Sequence, residues 1–308
     1  MNKNVEEFSK MFGGKKDLGK LLQGLIFARW LSLYMYYIRK LGLADPEATK
    51  PYPEGVIPPE VEEMTRLAVE RMLPTELSRE TSTYHGKVVK LDEAKALLEL
   101  DRDISLTNLE QVIPFKVARD IILKNPDHIA VIECPCRATK ENPCRPMDVC
   151  LAIGEPFVGL ILEYKTNKAR KISQQEALEI IKSEDARGHI HSAWFKDACG
   201  DRLYVICNCC KCCCIGMRTH ILGIPILAPS GYVSHIGDDC SGCGECVEFC
   251  QFGAIVLNKR AEVIYDKCMG CGVCESKCSL DVISMRRDPA KGEPLDIREL
   301  LERSEVSK

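Results

Sequence analysis

Two cysteine runs in the last quarter of the chain carry its clearest chemistry. CSGCGECVEFC supplies Cys240, Cys243, Cys246 and Cys250, and CMGCGVCESKC supplies Cys268, Cys271, Cys274 and Cys278. Both have the spacing C-x2-C-x2-C-x3-C. The correspondence extends to Gly242 with Gly270, Gly244 with Gly272 and Ile255 with Ile283, so the segment is an internal repeat. Three closely spaced thiolates on a tight loop can cup one corner of a cubane iron–sulfur cluster. The glycines let the backbone turn its N–H groups toward the sulfurs. A pair of four-cysteine zinc sites is the competing chemistry, but zinc modules usually separate two C-x2-C pairs by a longer loop.

This stretch, roughly residues 233–286, resembles a two-cluster bacterial ferredoxin. The resemblance implies two [4Fe-4S] clusters with crossed ligands, because the fourth cysteine of each run serves the other cluster. One quartet is then Cys240, Cys243, Cys246 and Cys278, and the other is Cys268, Cys271, Cys274 and Cys250. The chain departs from the pattern where proline follows the fourth cysteine. Gln251 and Ser279 stand there instead, which leaves the ligands intact but alters local rigidity and solvation.

Two more groups lie upstream. ECPCRATKENPCRPMDVC contains Cys134, Cys136, Cys144 and Cys150, and CNCCKCCC contains Cys207, Cys209, Cys210, Cys212, Cys213 and Cys214. They supply ligands for at least one further iron–sulfur cluster, held by the first group alone or shared between both. A zinc or copper thiolate site is the rival, since these metals also take soft sulfur. Six cysteines in eight residues cannot easily face one metal, and neighbours such as Cys209 and Cys210 point apart in an extended chain. Isolated Cys199 reads as a small core residue. His189 and His191 read as a hydrogen-bonded pair rather than ligands. Arg137 and Arg145 each follow a cysteine, where positive charge would stabilise a reduced cluster or hold an anionic substrate.

The segments PFKVARDIILKNPDHIAVIECPCR, EALEIIKSEDARGHIHSAWFKDA and VICNCCKCCC resemble a family of iron–sulfur proteins of anaerobic microbes. In that family the same Cys-rich region precedes a two-cluster ferredoxin module. The resemblance spans roughly residues 90–300. It implies iron–sulfur electron transfer and brings no catalytic residue with it.

The rest of the chain must position these groups. Its 308 residues, 45% of them hydrophobic, suffice for two domains or for one domain with an appended module. A formal net charge of -3 gives no electrostatic case for nucleic acid. The 19 cysteines come in tight groups and no signal-like segment opens the chain, which points to metal in a reducing, cytoplasmic compartment rather than to disulfides. The apolar stretch 21–38 carries Arg29 in its middle, a poor transmembrane span. It reads as a core or partner-facing helix, with peripheral membrane contact through Trp30, Tyr34, Tyr36 and Tyr37 as the alternative.

Helices are expected at Glu60–Met72, at Leu91–Leu100, near Pro114–Lys124, after the capping box of Ser173 and Glu176, and at Asp296–Glu302. Strands are expected at His128–Glu133, Phe157–Leu162 and Leu203–Ile206, paired in one sheet. Both upstream cysteine groups follow apolar strands and could converge. The expected organisation is an N-terminal helical segment and Pro-rich linker (1–58), a Cys-rich α/β or α+β domain (59–232), the ferredoxin-like α+β module (233–286) and a tail (287–308).

Two functions fit. One is a multi-cluster electron carrier serving a flavoprotein or metalloenzyme partner. The alternative is a reductase whose active cluster is built from the upstream cysteines, fed by the module, with His189, His191 or Lys196 supplying protons. Metal storage or redox sensing by the CNCCKCCC run is a third possibility.

Overall fold

The computed structural model describes residues 3–12, 17–43, 46–50, 57–72, 84–116 and 119–306. The strands are β1 Tyr84–Val89, β2 Ile104–Leu106, β3 Ile121–Glu133, β4 Asp148–Glu155, β5 Arg170–Ile172, β6 Ile190–Lys196, β7 Arg202–Cys209, β8 Leu227–Ala228, β9 Tyr232–Ile236, β10 Ile255–Leu257, β11 Ala261–Val263 and β12 Ile283–Arg287. The helices are α1 Lys3–Lys10, α2 Leu18–Arg29, α3 Leu31–Ile38, α4 Pro59–Met72, α5 Leu91–Leu98, α6 Pro135–Ala138, α7 Phe157–Glu163, α8 Gln174–Ala186, α9 Ile215–Ile221, α10 Glu245–Phe249, α11 Val273–Ser276 and α12 Ile297–Val306.

Strands β1 to β8 form one sheet in the order β2-β3-β4-β7-β6-β1-β8, with β5 also beside β3. Among these pairings only β1 with β8 is parallel. Side chains alternate across the sheet. Ile129 and Val131 enter one core with residues of α5, α8 and α12, while Ala130 and Ile132 enter a second core with residues of α1, α2, α3 and α7. Burial on both faces explains why HIAVIE reads as an unbroken apolar run rather than an alternating one. The chain is thus of mixed α and β structure.

Residues 21–38 form two helices broken at Trp30, not one. Phe27, Leu31, Leu33, Tyr34 and Tyr37 are buried in the second core. No helix among the described residues is long and apolar enough to cross a membrane.

Two expected elements are corrected. The helix near Pro114–Lys124 is instead a turn and the start of β3. Ile121 and Leu123 are buried with Ile122 between them partly exposed, a period of two that suits pairing with β2; Val117 lies outside the described residues. The strand at Phe157–Leu162 is helix α7, and the strand is the preceding β4. A short, uniformly apolar run carries no period to separate the two forms. Pro156 stands before the first turn of α7, and Glu155 Oε2 accepts from the Gly159 N–H at 3.1 Å. Pro51 and Pro53 of the expected linker also lie outside the described residues.

Half of the capping box expected at α8 forms: Ser173 Oγ accepts from the Glu176 N–H at 3.1 Å, while the Glu176 carboxylate pairs with Arg170 at 2.7 Å. The N-terminus of α5 is capped by Glu93, which accepts from the Lys90 N–H at 2.8 Å. Glu93 is 2% exposed. Burial lifts its carboxyl from the ordinary 4.5 to about 7, against the opposing pull of that hydrogen bond and of the Lys90 charge. A carboxyl raised in the folded state stabilises fully below its unfolded value and loses that contribution as pH rises through its folded value. Glu93→Gln keeps the acceptor and removes the charge. Its thermal midpoint should exceed that of the parent above pH 7, by at most about 3 kcal/mol of stability, with no gain at pH 4. Equal midpoints at pH 8 would contradict this.

In the C-terminal segment β9 pairs with β12 and β10 with β11, all antiparallel. Ile236, Ile255, Ala261 and Ile283 form a small core with Cys246 and Cys274.

Candidate metal centre

The sheet brings the upstream cysteines to one end. Cys134 directly follows β3, Cys150 lies at the start of antiparallel β4, and Cys207 and Cys209 lie at the end of β7. Pairing of Leu151 with Ile206 sets Cys150 beside Cys207 across the β4–β7 ladder. The expected convergence therefore follows from strand register.

The ten upstream cysteines of the two groups divide into two sets. Thiol-to-thiol contacts run from Cys207 to Cys150, Cys134, Cys136, Cys214, Cys209 and back to Cys207, closing a ring of six. The Cys214–Cys209 contact is 3.3 Å. The other set is Cys144, Cys210, Cys212 and Cys213, whose sulfurs all lie within 4.8 Å of one another. Adjacent Cys209 and Cys210 go to different sets, as alternation in an extended segment requires.

The ring is buried. Bonding to the next thiol, then burial, holds Cys134, Cys150 and Cys207 well above the ordinary thiol range. Cys209 is brought down to about 5 by the bonds from Cys207 and Cys214. Six buried thiols cannot all ionise without bound positive charge. Metal binding would displace their protons. Backbone N–H groups of Ile215 and Met217 are directed at the sulfurs of Cys136 and Cys214, a polar setting suited to thiolates. The ring's apolar cavity is lined by Leu31, Met35, Tyr84, Trp194 and Tyr204. Trp194 Nε1 donates to Ser192 Oγ at 2.8 Å, and Ser192 Oγ lies 3.3 Å from Cys209 Sγ.

Two arginines clamp the cysteine loops. Arg39, fully buried, donates to the carbonyls of Cys136 at 3.0 Å and Cys213 at 2.7 Å, one from each set. Its only trace in the sequence is a cation at the end of an apolar segment. Arg137 donates to Glu184 Oε2 at 3.0 Å, to the Asn208 carbonyl at 3.4 Å and to the Pro146 carbonyl. Burial opposes its charge, but Cys134, Glu184 and Cys210 hold its pKa above the ordinary value. Arg145 lines a separate open recess with Lys50, Lys140 and Lys168.

His189 and His191 turn to protein partners. His189 Nδ1 lies 2.6 Å from Glu184 Oε2, and His191 Nδ1 lies 2.7 Å from Asn208 Oδ1. Cys199 is 2% exposed, and burial pushes its thiol up.

In the C-terminal segment Cys240, Cys243, Cys246 and Cys278 line one recess. Burial raises the Cys246 thiol, with Cys240, Cys243 and Cys278 adding to the rise. Burial likewise raises Cys271, with Cys274, Cys250 and Cys268 adding to it. One set of four thiols thus lines a common recess, and Cys271 lies near Cys274, Cys250 and Cys268. Backbone N–H groups reach the sulfurs as a cluster site requires. Ala254 donates to Cys250 Sγ at 3.2 Å, and Ala261 and Gly242 donate to Cys240. Gly242 and Gly270 have φ of 72° and 68°. In each case a Cβ would meet backbone, the Lys259 carbonyl oxygen at 2.7 Å and the Tyr232 carbonyl oxygen at 2.2 Å.

The two quartets differ in setting. Cys243 is exposed, whereas Cys271, Met269 and Val273 pack against the core of the main sheet. The inner side is pinned at several points. Gln251 Oε1 accepts from the Lys211 N–H at 3.0 Å, and Gln251 Nε2 donates to the Gly188 carbonyl at 2.8 Å. Lys277 donates to the Ala186 carbonyl at 2.7 Å. The side chain standing where the ferredoxin pattern has proline thus ties the Cys250 loop to the CNCCKCCC segment.

Residues 232–279 match the family described as 4Fe-4S dicluster domain. No curated protein and no solved structure matches the chain. The match includes all eight cysteines of the repeat, so the C-terminal segment is an iron–sulfur module and the chain carries iron–sulfur chemistry.

Proposed function

We propose that the chain is a multi-cluster electron-transfer protein, passing electrons between a redox partner and a cluster held by the six-cysteine ring. Cys240, Cys243, Cys246 and Cys278 would hold one [4Fe-4S] cluster, and Cys268, Cys271, Cys274 and Cys250 the other. Bound there, such clusters supply one-electron storage at potentials tuned by hydrogen bonds and exposure. The chain's own residues give the route its direction. Cys243 is exposed, and Leu257 and Leu280 beside it offer an apolar rim to a flavoprotein or metalloenzyme. The inner quartet faces the main sheet.

The observation that carries this reading is Gln251. One hydrogen bond holds the loop of an inner-quartet ligand against the segment that contributes to both upstream sets, and the other ties it to Gly188 at the end of α8. An accessory module would need no such tie. Gln251→Pro restores the common ferredoxin residue and deletes both bonds. The variant should retain the iron and acid-labile sulfide of the parent, while reduction of the upstream cluster through the module slows. Unchanged kinetics, followed by rapid-mixing spectroscopy, would count against the route.

The ring has more thiols than the four corners of one cubane need. Anaerobically purified protein should therefore contain more than the eight irons and eight acid-labile sulfides of the module, and Cys150→Ser should remove the excess sulfide with its iron. Acid-labile sulfide already limited to eight in the parent would defeat the upstream cluster.

The reductase alternative draws less support. His189, His191 and Lys196 bond to Glu184, Asn208 and Asp197 instead of lining the ring cavity.

A further inference from the structure

We infer that Cys144, Cys210, Cys212 and Cys213 hold a single tetrahedral divalent ion, zinc or mononuclear iron, and not a cluster. The inference is independent of the electron-transfer reading, because it concerns a separate set of thiols.

The argument rests on sulfur spacing. A tetrahedral thiolate site has metal–sulfur bonds of about 2.3 Å, which place its sulfurs about 3.8 Å apart. A cubane holds its ligands on four separate corners, each pointing outward, so their sulfurs stand about 6 Å apart. Here Cys144 and Cys212 are 2.9 Å apart, Cys210 and Cys212 3.4 Å, Cys212 and Cys213 3.7 Å, and Cys144 and Cys210 3.9 Å. No pair in the group exceeds 4.8 Å. The space between them suits one ion and leaves no room for inorganic sulfide. Neither module quartet closes to this spacing, and neither does the ring. Neighbouring ring thiols touch, as Cys209 and Cys214 do at 3.3 Å, but among the described residues only Cys144, Cys210, Cys212 and Cys213 close mutually on a single point.

The surroundings complete a closed four-thiolate site. The Cys144 N–H donates to Cys213 Sγ at 3.3 Å, a bond that favours the thiolate. Four thiolates around a divalent ion leave an excess negative charge, and the Arg137 guanidinium interacts with Cys210. Arg39 fixes the Cys213 carbonyl. Three ligands come from one short segment and the fourth from the loop carrying Cys144, so the ion would staple that loop to the end of β7. Lys211, whose N–H donates to Gln251 Oε1, lies between two of the ligands. With all four positions filled by protein, a zinc ion there would be structural.

Metal and sulfide analysis of the anaerobically purified full chain tests this. Cys212→Ser, whose side chain is exposed, should lose one equivalent of zinc or iron with acid-labile sulfide unchanged. Cys144→Ser, on the other loop, should lose the same equivalent. Loss of several irons with matching sulfide would show a cluster and overturn the inference, as would loss of no metal. X-ray absorption on the unmutated protein gives a reading that does not depend on either variant folding. If zinc is present, its edge should show four sulfur neighbours at about 2.3 Å and no metal neighbour. If the protein lacks zinc, Mössbauer spectra should contain one tetrahedral high-spin iron component outside the clusters. A metal neighbour at the zinc, or the absence of both signatures, would overturn the inference.

Discussion

Gly270→Ala is expected to empty the inner quartet of the module. Gly270 lies between Cys268 and Cys271 with φ of 68°, where a side chain strains the backbone. A Cβ there would stand 2.2 Å from the Tyr232 carbonyl oxygen and 2.3 Å from Ser230 Oγ. Neither neighbour can retreat cheaply. Ser230 Oγ donates to the Gly270 carbonyl at 2.7 Å and accepts from the Tyr232 N–H at 3.2 Å. Left-handed strain and overpacking together cost about 2–5 kcal/mol. Iron analysis should show loss of about four irons with their sulfide. Gly253→Ala is the control. Its φ is 60°, but nothing lies within 4 Å of the added carbon, so it should pay only about 1–2 kcal/mol of backbone strain and keep all its iron. Full iron in Gly270→Ala would show that this loop does not position ligands.

Arg137→Met is expected to have the second large effect. Arg137 and Glu184 are each 1% exposed at the side chain and pair at 3.0 Å. Removing one partner of a buried pair typically costs about 3–5 kcal/mol, because the remaining charge stays uncompensated. The arginine also ties the Pro146 and Asn208 carbonyls, which belong to segments bearing upstream cysteines. Arg187 and His189 remain beside Glu184 and soften the loss. The thermal midpoint should fall by several degrees. Arg137→Met combined with Glu184→Met should recover much of it, since apolar replacement of both partners is often neutral. A fixed positive charge also favours the more negative, reduced state of a nearby cluster. In folded Arg137→Met the upstream potential should therefore drop. An unchanged potential together with an unchanged midpoint would remove the arginine from the account.

The repeat at Cys240–Cys278 was legible because its ligands are local in sequence and its glycines mark the turns. The convergence of Cys134, Cys150 and Cys207 was legible only as a possibility. It depends on β4 lying between β3 and β7, a non-local pairing that no spacing encodes. The division of Cys207–Cys214 into two sets follows from alternation at Cys209 and Cys210, but which partners each set meets is tertiary information. Phe157–Leu162 is helix where its sequence reads as strand, because a short, uniformly apolar run carries no period to separate the two forms. Arg39 left no motif, since its partners are carbonyls far along the chain. Gln251 was visible as a departure from the ferredoxin pattern, and its purpose emerged only with Lys211 and Gly188 beside it.

The central claim is that electrons entering the module reach a further cluster in the main domain. EPR-monitored reduction of the anaerobically purified full chain tests it most directly. The account predicts two interacting [4Fe-4S] signals from the module and at least one more iron–sulfur signal, lost in Cys207→Ser while the module signals persist. Spectra showing the module signals alone, unaltered by Cys207→Ser, would contradict it.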